Sequence, residues 1–163
     1  NIESKNLYNS KAERKNMSNN TNIRKMTAGD KQAVIEMMRV FYTSPAVFSN
    51  GSENIFLQDI EACTGENPYL DGYIFAAPDS GEIQGYGMVA KSFSTEFGKP
   101  CAWIEDIYIK DSYIGSRFIE HVKKTYAGCV IRLEVEEENE RAVKVYEKNG
   151  FHVLPYMEMI TNE

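Results

Sequence analysis

A chain of 163 residues with a formal charge of −6 is long enough to bury one hydrophobic core, and its acidic balance argues against a nucleic-acid surface. No apolar run approaches the roughly 18 residues of a membrane helix, and the first residues lack the apolar stretch of a secretory signal. Cys63, Cys101 and Cys129 are odd in number, widely spaced and without a CxxC pair, which fits free thiols in a reducing cytoplasm and speaks against a zinc site.

Residues 1–22 are polar and rich in Asn, Ser and Lys, and read as a tail or leader in which Met17 is a candidate start. A single domain is expected over residues 23–163. Ile23 to Met26 reads as a first strand. Thr27 then sits as an N-cap with Asp30 in the capping-box position, ahead of an apolar stripe of Ala33, Val34, Met37, Met38 and Phe41 at helical spacing. That helix should stop near Ser44-Pro45, and a second covers Glu53 to Cys63. Gly72 to Ala77 and Ile83 to Phe93 read as a hairpin about the turn Asp79-Ser-Gly81. Cys101 to Ile109 is a strand, Ile114 to Tyr126 a helix with Phe118, Ile119, Val122 and Tyr126 inward, and Val130 to Val135 a further strand. Asn139 to Asn149 is the last long helix, and Phe151 to Leu154 and Tyr156 to Ile160 are expected as two closing strands. The expected fold class is mixed α/β, with an antiparallel first half.

Two elements carry candidate chemistry. On the last helix, Asn139, Ala142, Val143 and Tyr146 share one sector, while Arg141, Lys144 and Lys148 lie opposite. The small Ala142 leaves room beside Tyr146 for a ligand; Tyr146 is otherwise a core aromatic and Asn139 only a cap. On the strand Trp103-Ile-Glu-Asp-Ile-Tyr-Ile109, alternation places Trp103, Glu105, Ile107 and Ile109 on one face and Ile104, Asp106 and Tyr108 on the other. A carboxylate among apolar neighbours has its pKa lifted toward neutrality, where a general base works best. Glu105 is the first candidate and Asp106 the second, each weighed against a structural carboxylate. Glu134 and the run Glu136-Glu137-Glu138 either line an acidic mouth or favour the following helix start. His121 and His152 have no partner at ligand or triad spacing and read as structural.

The string Asn139-Glu-Arg-Ala142-Val-Lys-Val-Tyr146-Glu-Lys-Asn-Gly150-Phe151 resembles the last block of the GNAT superfamily of acetyl-CoA-dependent N-acetyltransferases, and the order of elements over about residues 23 to 160 is similar. The resemblance implies a GNAT-type fold with a central twisted, mostly antiparallel sheet flanked by helices. It implies acetyl-CoA as co-substrate and transfer to a primary amine by direct attack in a ternary complex. Carried over residue by residue, Tyr146 protonates the departing thiolate, Asn139 caps its helix and touches the pantetheine arm, and backbone N–H groups around Ile107, Tyr108 and Ile109 bind pantetheine and the thioester oxygen. Ile104-Glu-Asp106 is also similar to the polyamine acetyltransferase branch, which gives Glu105 the task of taking protons from the amine. Phe41, Tyr42 and Tyr156 fall where the family builds its acceptor wall. A homodimer is implied by analogy with the family, and the acidic balance tilts the acceptor toward a cationic small amine, with peptide amines open.

The family's Gly-rich pyrophosphate loop departs from pattern here. Tyr113-Ile114-Gly115-Ser116-Arg117 matches its flanks, but about four residues between Tyr113 and Ile114 are absent. Three readings stand open: the site is lost, its phosphates are held by N–H groups of Gly115, Ser116 and Arg117, or the loop exists in the protein and is missing from this string. The first makes the chain a catalytically inactive GNAT-fold binding module.

Overall fold

The computed structural model describes residues 22–47, 49–110 and 114–161. Five strands form one sheet in the order β1-β2-β3-β4-β5: β1 (Asn22–Lys25), β2 (Leu70–Ala76), β3 (Ile83–Ser94), β4 (Lys99–Ile109) and β5 (Val130–Leu133). The first four pair antiparallel and β4 pairs parallel with β5, which requires a crossover supplied by a helix. The helices are α1 (Lys31–Phe41), α2 (Glu53–Thr64), α3 (Gly115–Thr125) and α4 (Glu140–Lys148). Among the described residues this is the expected mixed α/β class. The expected polar tail lies almost wholly outside the described residues, as does Tyr113 at the start of the departing loop.

The chain enters α1 through a short 3-10 turn, Ala28–Asp30, closed by the expected capping box between Thr27 and Asp30. Asp30 is buried, takes hydrogen bonds from the Thr27 N–H and hydroxyl at 2.8 Å, and forms a two-pronged ion pair with Arg24 at 2.7 and 2.8 Å. The Arg24 guanidinium, working against burial, holds this carboxyl down at about 2 from an ordinary 3.8. Its folded pKa is lowered, so its contribution to stability is complete above about pH 4 and is lost as the pH falls toward 2. Asp30→Asn should therefore cost about 2 kcal/mol at neutral pH, and urea titrations should show that gap closing as the pH drops toward 2. A gap independent of pH would rule out the charge as its source.

Two cores sandwich the sheet. On one face Val34, Met37 and Met38 of α1 and Phe56 and Ile60 of α2 pack on Ile74, Tyr86 and Met88. On the other, Ile114, Phe118 and Val122 pack on Tyr73, Phe75, Val89, Ala102 and Ile104. Gly87 makes the second contact possible, because a Cβ there would stand 2.5 Å from the fully buried Phe118 ring. Gly87→Ala should destabilise by about 1–3 kcal/mol through overpacking. An unchanged thermal midpoint would mean that the ring moves freely.

Two sequence expectations need correction. Ile104 does not share a face with Asp106. Met88 pairs with Asp106 but Val89 pairs with Ile104, so Glu105 is an extra residue on β4, and this bulge swaps the faces on either side of it. Ile104 joins Ile107 and Ile109 on the α3 side, while Asp106 and Tyr108 face α1. The two closing strands also do not form. Residues 151–161 carry no strand pairing, and Val153, Met157, Met159 and Ile160 stay 81–89% exposed. Pro155 has no N–H to give a ladder, and the apolar residues fall on both parities of the run, so no single face favours docking.

Candidate active site

β4 keeps β3 along its whole length but loses β5 early. The parallel pairing runs only from Cys101↔Val130 to Ile104↔Leu133, so β4 from Glu105 to Ile109 has one open edge among the described residues. The Lys110 N–H donates to the Gln84 carbonyl at 2.9 Å, on the β3 side. Alternation along the ladder then turns the N–H groups of Ile107 and Ile109 toward the open edge, and that of Tyr108 toward β3. Of the three backbone positions carried over from sequence, Ile107 and Ile109 thus present amides to the splay, and Tyr108 contributes its ring to the opposite face.

Glu105 sits on the bulge at the head of this splay. Its side chain is exposed at the tip, yet crowding by surrounding protein, then Glu158 and Asp59, lifts its pKa above the usual carboxylate range. Glu134, just past β5, is lifted by burial and by a hydrogen bond shared with Glu158. Asp106 is buried on the other face, where the Tyr86 hydroxyl donates to it at 3.0 Å and the Tyr42 hydroxyl at 3.3 Å. Burial outweighs these donors and pushes Asp106 up to about 6. Among the described residues, five carboxylates therefore act on one another around the bulge, and no described lysine or arginine is among the groups that shift Glu105, Asp106 or Glu134. Sequence reasoning singled out Glu105, Asp106, Glu134 and Tyr42 but missed Asp59, Glu158 and Tyr86. Nothing in their local patterns separates them from ordinary helix, tail and core residues.

α4 packs against α3 and Phe151 with its apolar side only half covered. Asn139 caps it, its side-chain oxygen accepting from the Ala142 N–H at 3.3 Å. Ala142, Val143 and Tyr146 are half-buried while Arg141, Lys144 and Lys148 face solvent, as helical spacing predicts. The Tyr146 ring meets Phe151 edge-on at 5.9 Å, and Phe151 packs on the core that holds Ile107 and Ile109. Burial raises the Tyr146 pKa, so the phenol keeps its proton throughout the neutral range. The start of α3 closes the site: Ile109 reaches to 3.5 Å of where a Gly115 Cβ would lie, and Ser116 accepts from the Asn149 amide at 3.1 Å, tying α3 to the end of α4. Ile114 precedes α3 without a side-chain cap, which leaves the helix start to backbone amides.

Known proteins share this fold. A sequence profile of the Acetyltransferase (GNAT) family matches residues 33–151. A possible acetyltransferase from Clostridium difficile 630 superposes with a TM-score of 0.72 at 16% identity, covering 88% of this chain and 97% of that one. A Trypanosoma brucei acetyltransferase gives 0.62 at 18%, covering 88% and 100%. An aminoglycoside N-acetyltransferase, AAC(6')-Iy, in complex with CoA gives 0.69 at 16%, covering 88% and 95%. At these identities the likeness is one of fold. A search of curated proteins finds no match. No described helix is long and apolar enough to cross a membrane. With the profile covering most of the chain, including the splayed strand and the tyrosine helix, the protein belongs to the GNAT acetyltransferase family and is an acyltransferase.

Proposed function

We propose that this protein is an N-acetyltransferase that moves an acetyl group from acetyl-CoA to a primary amine, by direct attack while both are bound. The observation that carries the reading is the splay: β4 has an open edge with two outward amides and, at its head, a carboxylate whose pKa is raised, while α4 carries a half-buried phenol against Phe151.

The residues present suit acetyl-CoA, whose thioester supplies the activated acetyl group. The open edge of β4 offers Ile107 and Ile109 N–H groups to the amide-bearing pantetheine arm, as a missing strand would be held. We assign one of them to stabilise the charge that develops on the thioester oxygen. Asn139 spends its side-chain oxygen on the helix cap and keeps its amide hydrogens for the arm. At the start of α3, the amides of Gly115 and Ser116 and the helix dipole favour the pyrophosphate.

Glu105 accepts the proton that an ammonium must lose before it can attack, and its raised pKa brings it closer to that task. Tyr146 donates a proton to the departing sulfur, which a thiolate with a pKa near about 8.5 takes readily. The carboxylate cluster favours a cationic small amine, because an ammonium there offsets like-charge repulsion and a neutral acceptor does not. The test follows release of free CoA thiol from acetyl-CoA with polyamines, aminoglycosides and lysine peptides in parallel. Amine-dependent thiol release with a cationic amine preferred is expected. A chain that binds no acetyl-CoA by calorimetry would return the reading to a binding module.

A further inference from the structure

Asp106 has no part in the proton transfers above, yet it is 5% exposed and carries the two phenols Tyr42 and Tyr86. The two bonds differ in what they hold. Tyr86 lies fully buried in β3, so its bond joins neighbouring strands already paired by their backbones. Tyr42 is the residue that ends α1, half-buried, and its bond to Asp106 reaches across 64 positions of sequence. The connection from α1 to α2 folds around that ring. Phe56 of α2 packs on it at 5.1 Å, and Gly51, at φ +60°, comes so close that a Cβ there would stand 3.2 Å from Tyr42 and 2.5 Å from Phe56. Asp106 directly follows Glu105 on β4, so the hydrogen bond that pins Tyr42 also ties the end of α1 to the residue next to the proposed base.

Resting on the acetyltransferase reading, we propose that Asp106 is a positioning residue: as a carboxylate it fastens Tyr42, and with it the end of α1, beside the bulge that carries Glu105, so that the acceptor amine is held well only while Asp106 is ionised. A hydroxyl bonded to a carboxylate is held about twice as strongly as one bonded to a neutral acid, so the fastening loosens when Asp106 takes a proton. Among the described residues the groups acting with it are Tyr42, just past α1, Asp59 and Cys63 from α2, Tyr86 from β3 and Glu105 from β4. Burial, with smaller contributions from Asp59 and Glu105, outweighs the two phenol donors and pushes its pKa up to about 6.

Hydrogen exchange at Tyr42, Ser44 and Ala46, whose amides donate to Met38, Phe41 and the Ser44 hydroxyl, corrected for intrinsic rates, tests the fastening. In the wild-type chain protection should be greater at about pH 8 than at about pH 5, by at most roughly fivefold, because the Tyr42 bond at 3.3 Å is longer than the roughly 2.5–2.7 Å of a full charge-assisted bond. Asp106→Asn should flatten that difference, and Tyr42→Phe should lose protection at both values. With spermidine as the amine probe, both variants should raise the KM for spermidine more than they lower kcat, leave the acetyl-CoA KM unchanged, and be no worse together than singly. PH-independent protection in the wild-type chain would overturn the proposal, as would parallel losses in both KM values and kcat. Should Asp106→Asn fail to fold, Tyr42→Phe decides alone, since its ring remains. Spermidine left unacetylated by the wild-type chain would overturn the acceptor half, while the exchange profile still decides the fastening.

Discussion

Tyr146→Phe is expected to lower kcat by roughly 10²- to 10⁴-fold, the usual worth of a positioned general acid. The acetyl-CoA Kd should stay within about threefold, because the ring that packs on Phe151 remains and only the proton donor is lost. The phenol is held neutral by burial, so the wild-type activity should show no loss at the alkaline end from Tyr146 until well past neutrality. Product thiols more acidic than CoA need less protonation, so acyl donors built on such thiols should partly rescue the variant. Equal turnover in variant and wild type would remove Tyr146 as the acid. A large rise in Kd would instead make it a binding residue.

Glu105→Gln should cost a similar factor of roughly 10²–10⁴ at neutral pH, where nearly all of an acceptor amine is an ammonium. The pH dependence distinguishes a base from a merely structural carboxylate. A carboxylate base fails when protonated, so wild-type kcat/KM should fall as the pH drops through the raised pKa of Glu105. As the pH rises toward that of the amine itself, about 10, the acceptor sheds its proton to water and the variant should converge on wild type. A deficit that stays constant up to alkaline pH would assign Glu105 a binding role in the cluster with Asp59 and Glu158. The bulge matters to this outcome. Glu105 escapes the regular pleat as the extra residue of β4, so glutamine there changes the charge without disturbing a ladder pair.

Elements with a strong local signal were legible in the chain. The helical stripes of α1 and α4, the capping box at Thr27 and Asp30, and the strands β2, β3 and β4 stand within a few residues of their expected bounds, because period, caps and turn residues act over a single element. The face of α4 that carries Ala142, Val143 and Tyr146 could likewise be read from 100° per residue alone. The closing segment misled for the same reason. Phe151 to Ile160 has strand-like residues, but a strand exists only where another chain segment accepts its hydrogen bonds.

What tertiary structure decided lies between elements. Whether β5 follows β4 to its end, which β4 amides are left open, and on which side of a bulge Ile104 falls depend on register, and register is a property of pairs of strands. The same holds for charge. Glu105 and Asp106 are adjacent in sequence, where Glu105 is the first candidate base and Asp106 the second. The fold turns one to solvent among acidic neighbours and buries the other under two phenols, because Glu105 is the unpaired residue of a bulge while Asp106 keeps its place in the ladder, and only packing sets what waits on each.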